Sequence, residues 1–317
     1  MRKYGILFVI ICALLLSGCG SQMPEVENGV FYTFTDSTGA QVMLKQKPEK
    51  VAVLFSSFAE IWTLAGGEVD ITVGESVERG FVPEEIALVD VGAGKQIDLE
   101  LLFAEQPDFV IGSADIEAQQ DACYAMKEVG IPAALFHVDT FDQYLNMLKI
   151  CTEITGNSEA FREYGAQIEE KIHNVQELAE QAPGENKRIL FIRAGSQYAS
   201  TKAKRASDHF ACMMLEELGA YNIAEEATVL LDGLSLEEIL LQDPDHIILT
   251  TMGNEEAAKS YIEDLFAQPG WRDLTAVKEG NYVFLPKELF HYKPNARWAD
   301  AYAYLAELLY PELIHHE

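Results

Sequence analysis

The stretch DLELLFAEQPDFVIGS, residues 98–113, has a near-copy in SLEEILLQDPDHIILT, residues 235–250. Each copy begins with a small polar residue and Leu-Glu, continues through apolar residues to Pro-Asp, and ends in an apolar run typical of a buried strand. The glutamate of each copy, Glu100 or Glu237, precedes the Pro-Asp pair by seven residues. Because the same supersecondary unit occurs twice, the chain is predicted to contain two similar α/β lobes.

The flanking sequence repeats the same order of elements around each copy. A strand and a helix ending at a Leu-Gly turn precede both stretches, and short apolar runs alternate with amphipathic segments, which favours parallel sheets covered by helices. Between the two halves, residues 157–182 place apolar side chains at three- and four-residue steps, which predicts one amphipathic helix of about 25 residues. The second half also contains an insertion, AGSQYASTKAKRASDHF, after its first strand.

The predicted fold is therefore two Rossmann-like α/β lobes with central sheets, joined by a single long α-helix, with a ligand cleft between the lobes. We expect an N-terminal lobe over residues 31–154, a connecting helix over 155–183 and a C-terminal lobe over 184–317.

The N-terminus has the pattern of a bacterial lipoprotein signal. Arg2 and Lys3 precede the apolar run GILFVIICALLL, which is short for a membrane span and ends in LSGC. We expect residues 1–18 to be a signal peptide, Cys19 to carry the lipid and residues 19–30 to form a tether. This predicts a protein anchored at the outer face of the cytoplasmic membrane. A plain secretory signal and an N-terminal anchor helix are the alternatives.

The charge balance excludes several classes of partner. Lys and Arg number 23 against 51 Asp and Glu, for a formal net charge of −28, which argues against binding to nucleic acid or to an anionic lipid surface. Cys123, Cys151 and Cys212 lie in helix-like contexts without the spacing of a metal-binding motif, so buried free thiols are predicted. A disulfide between two of them is the alternative.

As a set, the motifs FTDSTGAQVMLKQKPEKVAVL, VGAGKQIDLELLFAEQPDFVI, LEELGAYNIAEE, LSLEEILLQDPDHII and GNYVFLP resemble the substrate-binding proteins of ABC importers for siderophores, haem and cobalamin. The resemblance covers residues 31–311. It implies a monomeric lipoprotein that captures a metal chelate as cargo, without a cofactor of its own, and delivers it to a permease dimer. By position in the motif, it implies that Glu100 and Glu237 dock on arginines of that permease. The alternative role for each glutamate is a favourable interaction with the N-terminus of its helix.

In open α/β sheets, ligands bind beyond the carboxyl ends of the strands. The side chains that follow the predicted strands are therefore the ligand-binding candidates. They are Ser57, Phe58, Arg79 and Lys95 in the first half, and Arg193, Tyr198, Lys202, Arg205, His291, Tyr292 and Arg297 in the second. The basic insertion suits an anionic ligand such as a ferric siderophore or haem. His291 or Tyr292 is a candidate axial ligand if the cargo is haem.

A bare-metal-binding protein and a lipid-anchored enzyme are two alternatives to a binding protein for an iron complex. A bare-metal site requires several convergent nitrogen and oxygen ligands, whereas the first-half rim offers only His137 and the sequence has no His-rich loop. A lipid-anchored enzyme on a similar two-lobe fold is the alternative from another class. The sequence contains no nucleophile elbow, phosphate-binding glycine loop, H-E-x-x-H helix or paired-carboxylate motif. We therefore predict a binding protein for an iron complex, with cobalamin as the nearest alternative cargo.

Overall fold

The computed structural model describes residues 29–90, 96–182 and 187–311. The predicted signal peptide, the lipidation residue Cys19 and the candidate ligand residue Lys95 lie outside these ranges. Within the described residues, no helix combines the length and hydropathy needed to cross a membrane.

An antiparallel hairpin opens the described chain, with strands β1 (Tyr32–Thr35) and β2 (Gln41–Leu44). Its turn is organised by the Asp36 carboxylate, which accepts hydrogen bonds from the backbone N–H groups of Thr38 (2.9 Å) and Ala40 (3.1 Å). The second oxygen of the same carboxylate accepts the N–H of Leu135 at 3.2 Å. One acidic side chain therefore both forms the turn and attaches the hairpin to the first lobe.

The first lobe is built on five parallel strands in the order β5-β4-β3-β6-β7. The strands are β3 (Val51–Val53), β4 (Ile71–Thr72), β5 (Ala87–Leu88), β6 (Phe109–Ser113) and β7 (Ala133–Phe136). The helices are α1 (Ser56–Leu64), α2 (Gly74–Glu78), α3 (Leu99–Glu105), α4 (Glu117–Glu128) and α5 (Phe141–Thr155). The three central strands, β4, β3 and β6, are buried along their whole length, as expected for a parallel sheet covered on both faces.

The second lobe has the parallel strand order β10-β8-β11-β12, with β9 antiparallel to the end of β8. The strands are β8 (Arg188–Ala194), β9 (Lys202–Ala203), β10 (Tyr221–Asn222), β11 (His246–Thr251) and β12 (Tyr282–Phe284). The helices are α8 (Phe210–Glu217), α9 (Val229–Asp232), α10 (Leu236–Gln242), α11 (Glu255–Phe266), α12 (Thr275–Lys278), α13 (Lys287–Phe290) and α14 (Trp298–Leu309). Strand β9 lies in the predicted insertion and adds an antiparallel strand to this sheet.

The segment between the two sheets is helical, as predicted, but it contains one irregular turn. Helix α6 (Ser158–Phe161) continues through a π-helical turn at Arg162–Ala166 into α7 (Gln167–Glu180). Gly165 is buried in that turn, and a Cβ added to it would lie 2.8 Å from Leu145 Cδ1. The widened turn therefore coincides with a close approach of the helix backbone to α5.

The duplicated sequence has a duplicated structure. Helix α3 ends at Gln106 with φ 52°, and α10 ends at Asp243 with φ 39°, so both stop in a left-handed residue directly before the Pro-Asp pair. The aspartates then have the same role in both lobes. Asp108 accepts the backbone N–H of Lys50 at 3.0 Å, and Asp245 accepts that of Arg188 at 2.8 Å.

The two lobes share one hydrophobic core rather than meeting only at the connecting helix. Trp298 of α14 is 1% exposed, and its ring lies 6.3 Å from that of Phe141 and 5.7 Å from that of Phe210. The single buried cluster around these rings includes residues of both sheets. The three described cysteines are buried and free, which confirms the prediction of buried thiols. Burial raises the pKa of the Cys123 thiol to about 12.

Candidate functional site

A pocket of about 280 Å³ lies where the carboxyl end of the first sheet meets the second-lobe loop after α13. The first lobe contributes residues that directly follow β3 and β4, and the second lobe contributes consecutive residues beyond β12. The lining residues are Leu54, Phe55, Ser57, Val73, Glu75, Ile116, Gln119, His291, Tyr292 and Lys293. The structure therefore brings the predicted candidates Ser57, His291 and Tyr292 together across the two lobes.

Arg79 is fixed beside this pocket by four neighbours. Its guanidinium donates to the hydroxyls of Ser56 and Ser57, both at 3.0 Å. The same group lies 4.1 Å from the ring centre of Tyr292 and 4.5 Å from that of Phe81. Because two hydroxyls and two ring faces hold the planar fork, Arg79 is preorganised for a ligand with oxygen acceptors.

The electrostatic surroundings of Arg79 include two carboxylates. Burial lowers the pKa of Arg79, and Glu60 and Glu75 act in the opposite direction. Burial raises the pKa of Glu60, opposed by a hydrogen bond from Asn295 and by the charges of Arg79 and Arg297. Asn295 belongs to the second half of the chain and donates to Glu60 Oε2 at 2.7 Å and to the Ser57 carbonyl at 2.8 Å. The hydrogen bonds of Asn295 therefore join the second half of the chain to the first lobe beside Arg79.

His291 and Tyr292 form the second-lobe side of the pocket. Their rings are perpendicular, with centres 4.9 Å apart. Burial, followed by repulsion from Lys287, lowers the pKa of His291, so its imidazole is neutral at physiological pH and one ring nitrogen has a free lone pair. Tyr292 also has Lys287 5.7 Å from its ring centre. The pair therefore offers an imidazole nitrogen with a lone pair and a phenol ring, which lies close to the cations Arg79 and Lys287.

The second lobe adds further positive charge near this wall. Arg193 on β8 lies opposite Lys202 on β9, and Lys204 follows two residues later on the same side of the strand. Burial, followed by repulsion from Arg193, lowers the pKa of Lys204. Among the described residues, Arg193 Nε and the hydroxyl of the adjacent Thr250 are buried without a hydrogen-bond partner. An anion or oxygen-rich ligand at this position would satisfy both groups.

His209 is packed beneath these cations. Its ring centre lies 4.9 Å from that of Phe191 and 5.0 Å from that of Phe210. Nδ1 accepts the backbone N–H of Ala211 at 3.2 Å at the start of α8. Burial, followed by repulsion from Lys293 and from Arg193, lowers its pKa to about 3. His209 is therefore a neutral cap at the start of α8.

A chain of polar side chains crosses the cleft at one side of the pocket. His137 Nδ1 lies 2.6 Å from Asp115 Oδ1, and His137 Nε2 lies 3.3 Å from Asp139 Oδ2. Asp139 also forms an ion pair with Lys293 of the second lobe. Lys293 was not among the predicted candidates, because no local pattern relates it to a carboxylate 154 residues earlier.

The remaining candidates have other surroundings. Phe58 is 1% exposed and packs in the core, whereas Phe55, 4.9 Å from it by ring centres, lines the pocket. Arg205 pairs with Asp208 at 3.2 Å. Arg297 donates to the carbonyl of Glu288 at 2.6 Å. Tyr198 is 55% exposed at the edge of the second lobe.

Glu100 and Glu237 are exposed residues in the first turns of α3 and α10. Helix α3 begins at the carboxyl edge of the first sheet, because the N–H of Asp98 donates to the Val89 carbonyl at 2.7 Å, just after β5. Directly before α10, Gly233 lies against Tyr198, which follows β8: a Cβ on Gly233 would lie 2.5 Å from the Tyr198 hydroxyl. Both glutamates therefore flank the edge that contains the pocket.

Among the described residues, no group of three or more His, Cys, Asp and Glu side chains has an arrangement that could hold a metal ion. The sequence of residues 51–289 matches the family model described as periplasmic binding protein. The chain belongs to that family. This membership confirms the resemblance inferred from the motifs and the prediction of a binding protein rather than an enzyme.

Two curated family relatives align with nearly the whole chain. The ABC transporter substrate-binding lipoprotein YvrC of Bacillus subtilis is 23% identical over 316 residues, covering 96% of each chain. The molybdate-binding protein MolA of Haemophilus influenzae is 21% identical over 305 residues, covering 88% of this chain and 82% of its own.

Solved structures of family members have the same fold. The TroA-like periplasmic binding protein FepB of Veillonella parvula superimposes with a TM-score of 0.71 at 18% identity, covering 89% of this chain and 91% of its own. Staphylococcus aureus SirA, solved with staphyloferrin B, gives a TM-score of 0.63 at 16% identity, covering 88% and 97%. These likenesses confirm the predicted two-lobe α/β fold.

Proposed function

We propose that this protein is the lipid-anchored substrate-binding component of an ABC importer, and that it captures an anionic iron complex between its lobes. The observation that carries the proposal is the arrangement of Arg79, His291, Tyr292 and Lys293 around one pocket, in a chain of net charge −28. Two cations, Arg79 and Lys293, beside one pocket of a strongly acidic protein favour a ligand that is itself negative.

The type of anion follows from the donors present. Arg79 offers a planar guanidinium and Lys293 an ammonium group beside the pocket, so the ligand needs several oxygen acceptors. Aromatic side chains at Phe55 and Tyr292 provide flat apolar contact. A ferric chelate with carboxylate or catecholate oxygens combines these properties. Its support includes the likeness to SirA, which was solved with staphyloferrin B.

A binding panel tests the cargo. Quenching of intrinsic fluorescence is measured with ferric staphyloferrin B, a ferric catecholate, a ferric hydroxamate, haem, cobalamin and molybdate. We expect saturable binding of an anionic ferric chelate, weakened at least tenfold by Arg79→Ala. The matched control is Arg162→Ala, since Arg162 is exposed and pairs with Glu159 on the connecting helix. Binding of only cobalamin or molybdate, or equal affinity in both variants, would contradict the proposal.

Docking on the permease forms the second part of the proposal. Glu100 and Glu237 flank the pocket edge on separate lobes, where paired arginines on two permease subunits would fix the orientation of the whole protein. We expect Glu100→Arg with Glu237→Arg to abolish uptake while ligand affinity stays unchanged. Glu128→Arg with Glu263→Arg provides the control, because both glutamates are exposed near the C-terminal ends of α4 and α11, away from the pocket edge. Normal uptake by the first pair would refute docking through these carboxylates.

The lipid anchor at Cys19 is the third part. It would keep a monomeric protein at the outer face of the cytoplasmic membrane and raise its local concentration near the permease. We expect Cys19→Ala to move the protein from the membrane fraction to the soluble fraction, with ligand affinity unchanged. Retention of the variant in the membrane would instead indicate that the apolar N-terminal run holds the protein.

A further inference from the structure

Each of the two glutamates shares its helix face with large apolar side chains that contact solvent. Phe103 follows Glu100 by three residues and is 38% exposed. Leu240 and Leu241 follow Glu237 by three and four residues and are 40% and 78% exposed. Because residues three and four apart lie on one side of a helix, charge and apolar surface are adjacent on both lobes. We call these the first and second docking faces: Glu100 with Phe103, and Glu237 with Leu240 and Leu241.

The packing of the lobes does not account for these side chains. Helix α3 is anchored by Leu102 and α10 by Ile239, both fully buried and both two residues after the glutamate. Because each buried anchor follows its glutamate by two residues, the docking faces are exposed at equivalent positions of α3 and α10. A single exposed leucine is common on protein surfaces. Here, exposed apolar side chains occur next to a glutamate in both lobes, at the same edge of each sheet. This repetition favours one partner that binds both lobes.

We propose that the two docking faces bind matching apolar depressions on the two permease subunits, beside the basic side chains that receive the glutamates. This inference rests on the proposed permease docking and adds a source of affinity to it. Exposed ion pairs contribute little free energy, whereas burial of large apolar side chains is the main favourable contribution at protein interfaces. The carboxylates would therefore orient the complex, and Phe103, Leu240 and Leu241 would hold it.

Two other occupants fit the docking faces less well. A lipid surface is disfavoured, because the chain has a net charge of −28 and each face has a glutamate at its centre. In a symmetric contact with a second copy of this chain, carboxylate would face carboxylate beside the apolar residues, and like charges repel at an interface. A permease with two equivalent basic and apolar sites complements both faces at once.

Photo-crosslinking in living cells identifies the occupant. The full lipoprotein is produced with p-benzoylphenylalanine at the position of Phe103 or Leu241, and, as controls, of Tyr124 or Val129. The controls are 49% and 58% exposed on or next to α4. We expect adducts from the two docking faces, but not from the controls, that mass spectrometry identifies as a polytopic subunit of an ABC importer. Adducts with a second copy of the chain or with lipid alone, or no yield above the controls, would overturn the inference.

A set of substitutions separates this inference from the proposed function. Phe103→Ser with Leu240→Ser and Leu241→Ser is expected to reduce uptake at least tenfold with unchanged ligand affinity, whereas Tyr124→Ser with Val129→Ser leaves both unchanged. If charge reversal of the glutamates abolishes uptake but the serine variant transports normally, the apolar contribution is wrong and docking through the carboxylates stands. If neither variant affects uptake, both proposals fail.

Discussion

Acid should destabilise this protein through His209, and the size of the effect follows from the contacts of that side chain. Its ordinary pKa of 6.5 is lowered to about 3 in the folded state, first by burial and then by the nearby cations. In the unfolded chain, the His209 imidazole therefore binds a proton as the pH falls through 6.5. In the folded chain, it binds this proton only near pH 3. Stability is highest above pH 6.5 and falls as the pH decreases. From pH 7 to pH 5 the loss is at most about 2 kcal/mol.

The test compares wild type with His209→Asn, in which the amide oxygen can still accept the Ala211 N–H but no longer titrates. The smaller side chain loses contact with Phe191 and Phe210, which lowers stability equally at every pH. The readout is therefore the change in unfolding free energy between pH 7 and pH 5, measured with urea. We expect this change to be about 2 kcal/mol smaller in the variant. His173→Asn, at an exposed ion pair, serves as the control. Equal pH dependence in wild type and His209→Asn would refute the reasoning.

Three further substitutions test other parts of the structure. Lys293→Met removes a partly exposed interlobe ion pair worth ~0.2–1 kcal/mol, so the free energy of unfolding in urea should be nearly unchanged. It also removes a cation from the pocket, so titration should show at least tenfold weaker ligand binding. Gly165→Ala places a methyl group 2.8 Å from Leu145 Cδ1 and should lower the unfolding free energy by no more than about 2 kcal/mol, because the gain in helix propensity of about 1 kcal/mol offsets part of a packing cost of about 1–3 kcal/mol. Arg79→Lys keeps the charge but loses the planar fork over Tyr292, so calorimetry should show weaker, though detectable, binding.

The control for Gly165→Ala lies in the same helical turn. Glu163→Ala, exposed in the same π-helical turn as Gly165, should change stability by no more than ~0.5 kcal/mol. Arg79→Lys that binds as tightly as wild type would show that the guanidinium fork makes no contact with the ligand. Lys293→Met with normal affinity would place the ligand away from the interlobe ion pair.

The fold could be predicted because its signals are local. The Pro-Asp pair marks the same structural event twice: a helix ends in a left-handed residue, and the aspartate then binds the backbone before the lobe's first parallel strand. The amphipathic period from 157 to 182 likewise determines a helix between the sheets. The π-helical turn had no such signal, because it depends on the close approach of Gly165 to a side chain of α5.

The site was predicted only in part, for reasons that the residues themselves make clear. The sequence directed attention to the residues after each strand, and strand β3 ends at Val53, directly before Leu54 and Phe55 of the pocket. The change from a two-residue to a 3.6-residue period then turned Phe58 into the core and left Phe55 at the pocket. The interlobe pair of Asp139 with Lys293 needs both lobes in place, so no pattern within either one indicates it.

The same strand ends position both the pocket and the proposed docking faces. In the first lobe, the residues after β4 include Arg79 beside the pocket, and also Gly74, whose N–H donates to Asp90 at 3.0 Å. Asp90 pairs with Ile97, directly before the helix that contains Glu100. The pocket side of the first lobe and the first docking face are therefore joined through α2, Asp90 and the residue pair at the start of α3.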